Sequence, residues 1–517
     1  MTPIKILWVD DEIELLRPHF LFLENKGYKT IPCNNGQDAL LMLKDQVFDV
    51  VLLDENMPGL GGLETLNEIK LHSPNLPVIM ITKNEEEHIM EEAIGAKTSD
   101  YLIKPVNPNQ ILLALKKLLQ HKNLIAEKTI NNYQQAFQRI SMSINELYTH
   151  NDWAEFYTKM LYWEMELEGL DDLAMLEIFQ NQMKEANRLF SKFIKNNYTD
   201  WIQNNTGPIL SHQILKEKLF PLLKKESGKT TLMLVIDNLR FDQWKMMAPI
   251  IENHYKKEEE LSYYSILPTA THYARNALFS GMMPLEMQKK HPELWVNENE
   301  EGGKNLNEAD FLKAQLERNG IHSQFGYSKI TNLKAGKELS QSLHNHQKED
   351  LMVVVYNFVD MISHAKTEME IIKELASDNK AFRSLTFSWF KNSPLLEIIQ
   401  QARKLDFNLI ITTDHGTINV DQAIEIIGDR KVSMNLRYKA GQSLSYNAKS
   451  VMEVNDPRAI QLPAPHLNSK FIFATEQQYF VYHNNFNHYA NHFRNTFQHG
   501  GISMEEMIVP FVVMRPR

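Results

Sequence analysis

Residues 230–237 read TTLMLVID, an apolar run that ends in the carboxylate of Asp237. A continuous apolar run of this kind is typical of a strand that is buried on both faces of a parallel sheet. In open α/β sheets, the groups that bind ligands follow the carboxyl ends of such strands. The stretch therefore predicts an α/β domain with Asp237 at the edge of the sheet where a functional site forms.

Four later fragments place further polar groups where apolar strands are predicted to end. They read LPTATHYAR at 267–275, NFVDMISH at 357–364, TTDHG at 412–416 and HGGIS at 499–503. With Asp237 they supply seven candidate ligands, three for one metal and four for another: Asp237, Thr271, Asp360, His364, Asp414, His415 and His499. Two metals about 4 Å apart clamp the attacking and leaving oxygens of a displacement at phosphorus. The fragments therefore predict a two-zinc hydrolase that acts on phosphate esters.

The candidate nucleophile is the hydroxyl of Thr271. It follows a proline turn, a short helix is predicted to begin there, and direct contact with a metal can activate its oxygen. Thr269, two residues earlier, is the competing hydroxyl.

The first 120 residues alternate apolar strands with amphipathic helices, which predicts a doubly wound parallel sheet. Asp10 and Asp11 end the first predicted strand, Asp54 the third and Thr82 the fourth, and Lys104 follows the fifth. Clustered carboxylates repel one another unless a cation lies among them, and such oxygen ligands suit Mg²⁺. Asp54 is then a phosphoryl acceptor, with Lys104 and Thr82 placed to contact the phosphoryl group.

This constellation resembles the receiver domain of two-component response regulators, and MPGLGGLE at 57–64 completes the pattern. The resemblance implies that a histidine kinase phosphorylates Asp54. It also implies a magnesium site formed by Asp10, Asp11, Asp54 and Asn56, switch residues Thr82 and Tyr101, and a homodimer that forms on phosphorylation.

Between the two modules, residues 121–226 carry aromatic side chains at helical spacing and predict a helical bundle. These aromatic residues are interpreted as core and not as a base-stacking platform: Phe137, Trp153, Phe156, Tyr157, Trp163, Phe179 and Phe190. The predicted domains are a receiver domain at 1–120, a helical-bundle linker at 121–226 and a larger α/β domain at 227–517.

The later fragments resemble the alkaline phosphatase superfamily, which includes nucleotide pyrophosphatases and the PglZ group. The PTAT sequence at 268–271 matches the PTxT nucleophile turn of the phosphodiesterase branch, so the resemblance places the nucleophile on Thr271. It implies one zinc ion on Asp237, Thr271, Asp414 and His415 and a second on Asp360, His364 and His499. A receiver, a helical linker and a PglZ-type domain together resemble response regulators of type IX secretion. That resemblance implies hydrolysis of phosphodiesters in nucleotides or oligonucleotides.

The arginine that recognises phosphate in monoesterases has no clear match, which favours diester substrates. Arg275, one turn after Thr271, is the candidate for this role. A basic segment at 430–449, which includes Arg437 and Lys439, predicts either a phosphate-binding cap or a solvated face.

Composition and charge limit the number of domains and the class of protein. The chain has 517 residues, a net charge of −10 and one cysteine, which predicts two to four globular domains and no internal disulfide. The negative charge and the lack of a recognisable DNA-binding module argue against a duplex DNA-binding protein. With no apolar run of about 18 residues and no signal peptide, a cytoplasmic protein is expected. A competing hypothesis is a non-catalytic adaptor that binds a sigma factor or a secretion component, but an adaptor has no need for the Thr271 hydroxyl.

Overall fold

The structure is a computed structural model. It describes residues 4–83, 98–170, 172–225, 228–298, 300–376, 378–428, 435–464 and 468–517. Within its helices, the side chains of 119–127, 364–366, 368 and 370–372 are not described. The chain divides into two compact units, Met1–Gln134 and Gln135–Arg517. The finer division into three domains stays a prediction.

The first unit contains a five-stranded sheet in the order β2-β1-β3-β4-β5. Its strands are β1 Ile4–Val9, β2 Tyr28–Cys33, β3 Val50–Asp54, β4 Val78–Thr82 and β5 Asp100–Ile103. All four strand pairs are parallel. Alternate residues of β1 enter two different cores, Leu7 and Val9 on one face and Ile6 and Trp8 on the other. The predicted doubly wound sheet is therefore confirmed.

Helices cover this sheet and continue into the middle of the chain. They are α1 Arg17–Glu24, α2 Gly36–Asp45, α3 Gly62–His72 and α4 Pro108–Ser143.

The helical segment of the second unit consists of α5 His150–Glu168 and α6 Leu173–Asn204, followed by α7 Phe220–Lys225. Thr149 caps α5, because its side chain accepts a hydrogen bond from the backbone N–H of Asp152. The ring of Trp153 packs edge-on against Phe156 and Phe190, so these aromatic side chains form core, as predicted. Among the described residues, no helix combines the length and the apolarity that crossing a bilayer requires.

The larger sheet of the second unit has six strands in the order β7-β19-β10-β6-β9-β8. They are β6 Thr231–Ile236, β7 Tyr255–Tyr264, β8 Phe325–Ile330, β9 Leu351–Tyr356, β10 Asn408–Thr412 and β19 Ile508–Pro516. Strand β6 lies between two parallel neighbours, β9 and β10. Strand β19 is antiparallel to both β10 and β7 and lies between them. The predicted α/β architecture of this part of the chain is confirmed.

Helices flank this sheet along its connections. They are α8 Phe241–Glu252, α9 Thr271–Ser280, α10 Pro284–Lys290, α11 Glu308–Arg318, α12 Leu333–Ser342, α13 Phe358–Glu368, α14 Glu370–Leu375, α15 Asn379–Lys391 and α16 Pro394–Lys404.

An insertion between β10 and β19 folds mainly as short strands in small sheets. Its elements are β11 Ile418–Val420, β12 Gln422–Gly428, β13 Tyr438–Gly441, β14 Leu444–Ser445, β15 Val451–Val454, β16 Lys470–Ala474, β17 Gln478–Tyr482, α17 Phe486–Phe493, β18 Thr496–Gln498 and α18 Met504–Met507. Strand β18 pairs with β11, which returns the chain to the end of β10 before β19 begins.

Candidate metal centre and nucleophile

The candidate site lies where strands β6 and β10 end side by side. Asp237 directly follows β6, and Asp414 and His415 follow β10 after one threonine. Ligand atoms of these three residues all lie within 4.8 Å of one another. The Nε2 atom of His415 is 3.6 Å from Asp414 Oδ2 and 4.0 Å from Asp237 Oδ1. Neighbouring parallel strands therefore bring together three of the predicted ligands.

Thr271 is the first residue of α9, and its hydroxyl faces this cluster. The Oγ atom lies 3.1 Å from His415 Nε2 and 3.4 Å from Asp237 Oδ1. The competing hydroxyl of Thr269 is fully buried and used elsewhere. It donates to the carbonyl of Gly501 at 2.9 Å and accepts from the N–H of Gly500 at 3.0 Å. Of the two threonines, only Thr271 presents its hydroxyl to the carboxylate and imidazole cluster.

The second predicted ligand set lies beside the first. Asp360 is in the first turn of α13, and its Oδ1 is 3.7 Å from His499 Nε2. The imidazole of His499 stacks on that of His415, with ring centroids 4.3 Å apart and planes inclined by 17°. His364 belongs to the same helix as Asp360, but its side chain is outside the described residues.

Backbone carbonyls fix the protons of both histidines. The Nδ1 atom of His415 is 3.0 Å from the carbonyl of Gly416, and that of His499 is 3.2 Å from the carbonyl of Thr269. Because a carbonyl oxygen only accepts hydrogen bonds, Nδ1 carries the proton in each ring, and the lone pair of the neutral ring stays on Nε2. A second hydrogen bond of this kind orients metal-binding histidines.

Burial controls the charges of the cluster. It raises the pKa of Asp237 and of Asp414, and Arg275 partly offsets the rise in each. It raises the pKa of Asp360 further, with repulsion from Asp237 and Asp414 as the next cause. Burial lowers the pKa of His415, which keeps the ring neutral. Buried carboxylates that repel one another, together with neutral Nε2 atoms, form a donor set that fits a divalent cation such as zinc.

Arg275 lies one turn after Thr271 on α9 and binds two carboxylates at the site. Its Nη1 binds Asp237 Oδ2 at 2.5 Å, and its Nε binds Glu308 Oε1 at 2.6 Å. The predicted contact of Arg275 with a substrate phosphate has no support here, because these carboxylates occupy its guanidinium. Glu308 and Asn305, whose amide donates to the carbonyl of Thr271 at 3.1 Å, escaped prediction because no motif marks either residue.

The two basic residues predicted as substrate contacts are buried instead. Arg437 binds Glu506 through Nη2 at 2.6 Å and Nε at 3.1 Å, so its charge is compensated inside the protein. The Nζ of Lys439 lies 4.7 Å from the ring centroid of Tyr482, and burial lowers the pKa of this lysine to about 7. Neither residue contributes to a solvated face, and residues 429–434 of the insertion are outside the described residues.

In the first unit, the predicted acidic pocket lies at the ends of β1 and β3. Ligand atoms of Asp10, Asp11 and Asp54 lie within 4.8 Å of one another. Lys104 binds Asp54 Oδ1 at 2.6 Å and Asp10 Oδ2 at 2.9 Å. Burial raises the pKa of Asp54, and the hydrogen bond from Lys104 opposes the rise. This oxygen-rich donor set fits Mg²⁺.

The other predicted receiver residues lie close by or at the surface. The hydroxyl of Thr82 donates to a carboxylate oxygen of Glu55. Tyr101 is half-exposed on β5, and Asn56 is exposed just after β3.

The chain is similar to several transcriptional regulators over part of their length. It is 37% identical to the transcriptional regulatory protein ZraR of Klebsiella oxytoca over 121 residues, which are 23% of this chain and 27% of that protein. It is 35% identical to the alginate biosynthesis transcriptional regulatory protein AlgB of Pseudomonas putida, over 24% of this chain and 27% of that protein. The chain thus spans about a quarter of the length of these relatives.

Solved receiver structures are also similar to a small part of the chain. The chemotaxis protein CheY4 of Vibrio cholerae is 28% identical and matches 22% of this chain and 98% of its own, with a TM-score of 0.22. The response regulator TrrA of Thermotoga maritima is 30% identical, with the same two coverages and a TM-score of 0.21.

Family models match successive parts of the chain. Residues 6–116 match the response regulator receiver domain, and residues 123–202 match the PorX response regulator linker domain. Residues 214–514, more than half of the chain, match the BREX system PglZ alkaline phosphatase-like domain. The order of these matches is the PorX-like architecture that the sequence predicts. The chain belongs to the PglZ family of alkaline phosphatase-like proteins and carries this domain behind a response regulator receiver and a PorX-type linker.

Proposed function

We propose that this protein is a cytoplasmic response regulator whose PglZ domain is a two-zinc phosphodiesterase. Its substrates are phosphodiesters of nucleotides or oligonucleotides, and its activity regulates type IX secretion. The receiver implies a histidine kinase as partner. The observation that carries the proposal is the position of the Thr271 hydroxyl against His415 and Asp237, while the Thr269 hydroxyl is used by the backbone.

The proposed metal sites use the residues already described. Asp237, Thr271, Asp414 and His415 would hold one zinc ion, and Asp360, His364 and His499 the other. When bound, zinc supplies a Lewis acid that polarises the phosphate ester and lowers the pKa of an oxygen bound to it.

The chemical step falls to Thr271. Its oxygen lies 3.1 Å from His415 Nε2 and 3.4 Å from Asp237 Oδ1, the atoms that would hold zinc, so it faces the same ion and would release its proton to water. The oxygen forms a bond to phosphorus while the bond from phosphorus to one ester oxygen breaks, and that oxygen leaves as an alcohol after it gains a proton. Water then hydrolyses the threonine phosphodiester and restores the hydroxyl.

The preference for diesters rests on charge. A phosphate monoester carries nearly two negative charges at neutral pH, whereas a diester carries one. Arg275, the arginine closest in sequence after Thr271, is compensated by Asp237 and Glu308. It therefore does not supply the positive charge that a second phosphate charge would require.

We expect the purified protein to contain about two zinc ions and to hydrolyse bis(p-nitrophenyl) phosphate faster than p-nitrophenyl phosphate. His499→Ala should empty one site, because a metal that loses one of three protein ligands binds too weakly to persist. Elemental analysis and the two chromogenic assays measure these outcomes.

His346→Ala is the matched control, because His346 pairs with Glu349 at 2.9 Å and belongs to neither ligand set. It should retain both ions and full activity. A wild-type protein that stays free of metal when zinc is in excess contradicts the proposal. Two bound ions without turnover of either ester would favour the adaptor hypothesis.

We further propose that phosphorylation of Asp54 drives dimerisation. A phosphoryl group on Asp54 offers the Thr82 hydroxyl an oxygen in place of Glu55, and Lys104 can neutralise its charge. Beryllofluoride with Mg²⁺, which mimics the phosphoryl group, should shift the protein from monomer to dimer. Light scattering measures the mass, and Asp54→Ala should abolish the shift.

Asp45→Ala provides the control, because Asp45 is an exposed carboxylate at the end of α2. This variant should dimerise like the wild type. An unchanged mass with beryllofluoride in both the wild type and the control would contradict the dimerisation proposal.

A further inference from the structure

A buried amide on helix α6 binds helix α18, which contacts the turns of the candidate metal centre. The side chain of Asn187 is fully buried. Its Nδ2 donates to both carboxylate oxygens of Glu505, at 3.2 and 3.0 Å, and its Oδ1 accepts from the N–H of Met504 at 2.9 Å. Both ends of the amide are therefore bound by helix α18, which lies more than 300 residues further along the chain.

Helix α18 in turn holds the two turns that carry His415 and His499. The Oε1 of Glu506 accepts from the N–H of Gly501 at 2.8 Å, and the backbone carbonyl of Glu506 accepts from the N–H of Gly416 at 3.1 Å. Gly416 directly follows His415, and Gly501 is two residues after His499. One short helix thus fixes the backbone beside both candidate ligands.

The turn that follows His415 packs directly against the backbone of α18. A Cβ atom on Gly416 would lie 2.0 Å from the carbonyl oxygen of Glu505, whereas one on Gly501 would lie 2.5 Å from that of Ala474 in β16. Only a residue without a side chain permits backbones to approach this closely. A displacement of α18 is therefore transmitted to Gly416 and to the residue before it.

We propose that Asn187 is a positioning residue for the metal centre, acting through α18 on His415 and His499. The inference rests on the proposed function, because it requires that these histidines bind metal. Groups that hydrogen-bond directly to metal ligands change metal affinity by about 10- to 100-fold when they are removed, and Asn187 acts one helix further from the ligands. Helix α6 of the linker would thereby become part of the output site.

The test is metal affinity, measured by competition with a chromophoric chelator for zinc, and the visible absorption of the cobalt-substituted protein. Asn187→Ala should raise the dissociation constant of at least one zinc ion by about 10-fold, the lower end of that range, and shift the cobalt bands. A purely structural defect would lower stability without a change in the cobalt spectrum of the folded protein.

Gln182→Ala is the matched control. Gln182 is a buried amide on the same helix, but its Nε2 donates to the carbonyl of Phe137 at 3.3 Å and to Ser141 Oγ at 3.0 Å, both in α4. It should leave zinc affinity and the cobalt spectrum unchanged, although it also removes hydrogen bonds from a buried amide.

A second pair of variants, the exchange variants, tests the same contact by reversing the hydrogen bond between residues 187 and 505. Asn187→Asp places a carboxylate against Glu505, so the repulsion should weaken metal binding at least as much as Asn187→Ala. Adding Glu505→Gln restores a donor opposite the new acceptor and should recover the affinity. Because this pair keeps the side-chain volumes, it carries the test if Asn187→Ala does not fold.

The outcomes separate the two proposals. If the wild type binds two ions and both Asn187→Ala and the exchange variants behave like Gln182→Ala, the positioning role is wrong and the proposed function stands. If the wild type binds neither zinc nor cobalt, the proposed function fails and this inference fails with it.

Discussion

Replacing Thr271 with valine should lower the turnover of bis(p-nitrophenyl) phosphate by about 10³-fold or more, the scale on which losing a nucleophile acts. Valine keeps the volume of threonine but lacks the oxygen that lies 3.1 Å from His415 Nε2. Because the carboxylate and imidazole ligands remain, most of the zinc should be retained. Steady-state kinetics and elemental analysis on the same preparation measure both quantities, and Thr271→Ser should keep part of the activity.

Thr269→Val is the informative comparison, because it removes the same atoms two residues away. Its hydroxyl bonds Gly500 and Gly501 beside His499, so the variant leaves a buried N–H and a buried carbonyl without a partner. We expect a loss of stability of about 1–3 kcal/mol and a smaller loss of turnover than in Thr271→Val. An inactive Thr269→Val beside a fully active Thr271→Val would show that the nucleophile is assigned to the wrong residue.

Asp242→Ala should reduce the free energy of unfolding by about 3–5 kcal/mol, the cost of removing one partner from a buried ion pair. Asp242 accepts two hydrogen bonds of 2.9 Å from Arg240 and a further one from Arg383. All three side chains are buried. The substitution therefore removes a carboxylate that both guanidinium groups bind. Urea unfolding followed by tryptophan fluorescence measures the difference.

The pH dependence gives a second check on this cluster. Burial raises the pKa of Asp242, but Arg240 and Arg383 outweigh it and lower the pKa to about 2 from a usual 3.8. A depressed carboxyl pKa stabilises the folded state above the unfolded value, and the benefit is lost as pH falls through the folded value. The contribution of Asp242 to the difference between wild type and Asp242→Ala should shrink as the pH falls from about 4 to about 2.

Glu286→Ala serves as the surface control. Glu286 pairs with Lys290 at 2.7 Å, but both side chains reach solvent, with 40% of Glu286 and 57% of Lys290 exposed. Exposed pairs of this type contribute less than about 1 kcal/mol. If Asp242→Ala also lowered the free energy of unfolding by less than about 1 kcal/mol, the buried cluster would not stabilise the fold as its geometry indicates.

Local sequence patterns predicted the parts of the fold and site that depend on strand ends. An apolar run closed by Asp237 specifies a buried strand and the polar residue at its end, and the same holds for Asp54 and for Asp414. These signals are local because side-chain alternation and strand length are local properties. The confirmed sheets follow from them. The assignment of each residue to a metal or to the nucleophile stays a prediction.

Contacts between distant segments were not predictable in this way. Asn187 and Glu505 are 318 residues apart in sequence, and nothing in the periodicity of either segment indicates the other. Arg437 illustrates the same limit. A basic residue in a polar segment looks like a solvent or substrate contact, and only Glu506 at 2.6 Å makes its burial favourable. The local pattern of charge was visible, but the partner that neutralises it was not.

The place of β19 in the larger sheet has a consequence for synthesis on the ribosome. This strand pairs with β10 on one side and β7 on the other, yet it follows both in the chain. While translation proceeds from the N-terminus, β10 keeps one unpaired edge and β7 has no partner strand in this sheet until residues 508–516 leave the exit tunnel. Unpaired edges invite pairing with other chains. His499 and Glu506 come shortly before residues 508–516, so the candidate site and the sheet can be completed only at the end of synthesis. Translation order would thus delay the assembly of the candidate site until β19 can join β7 to β10.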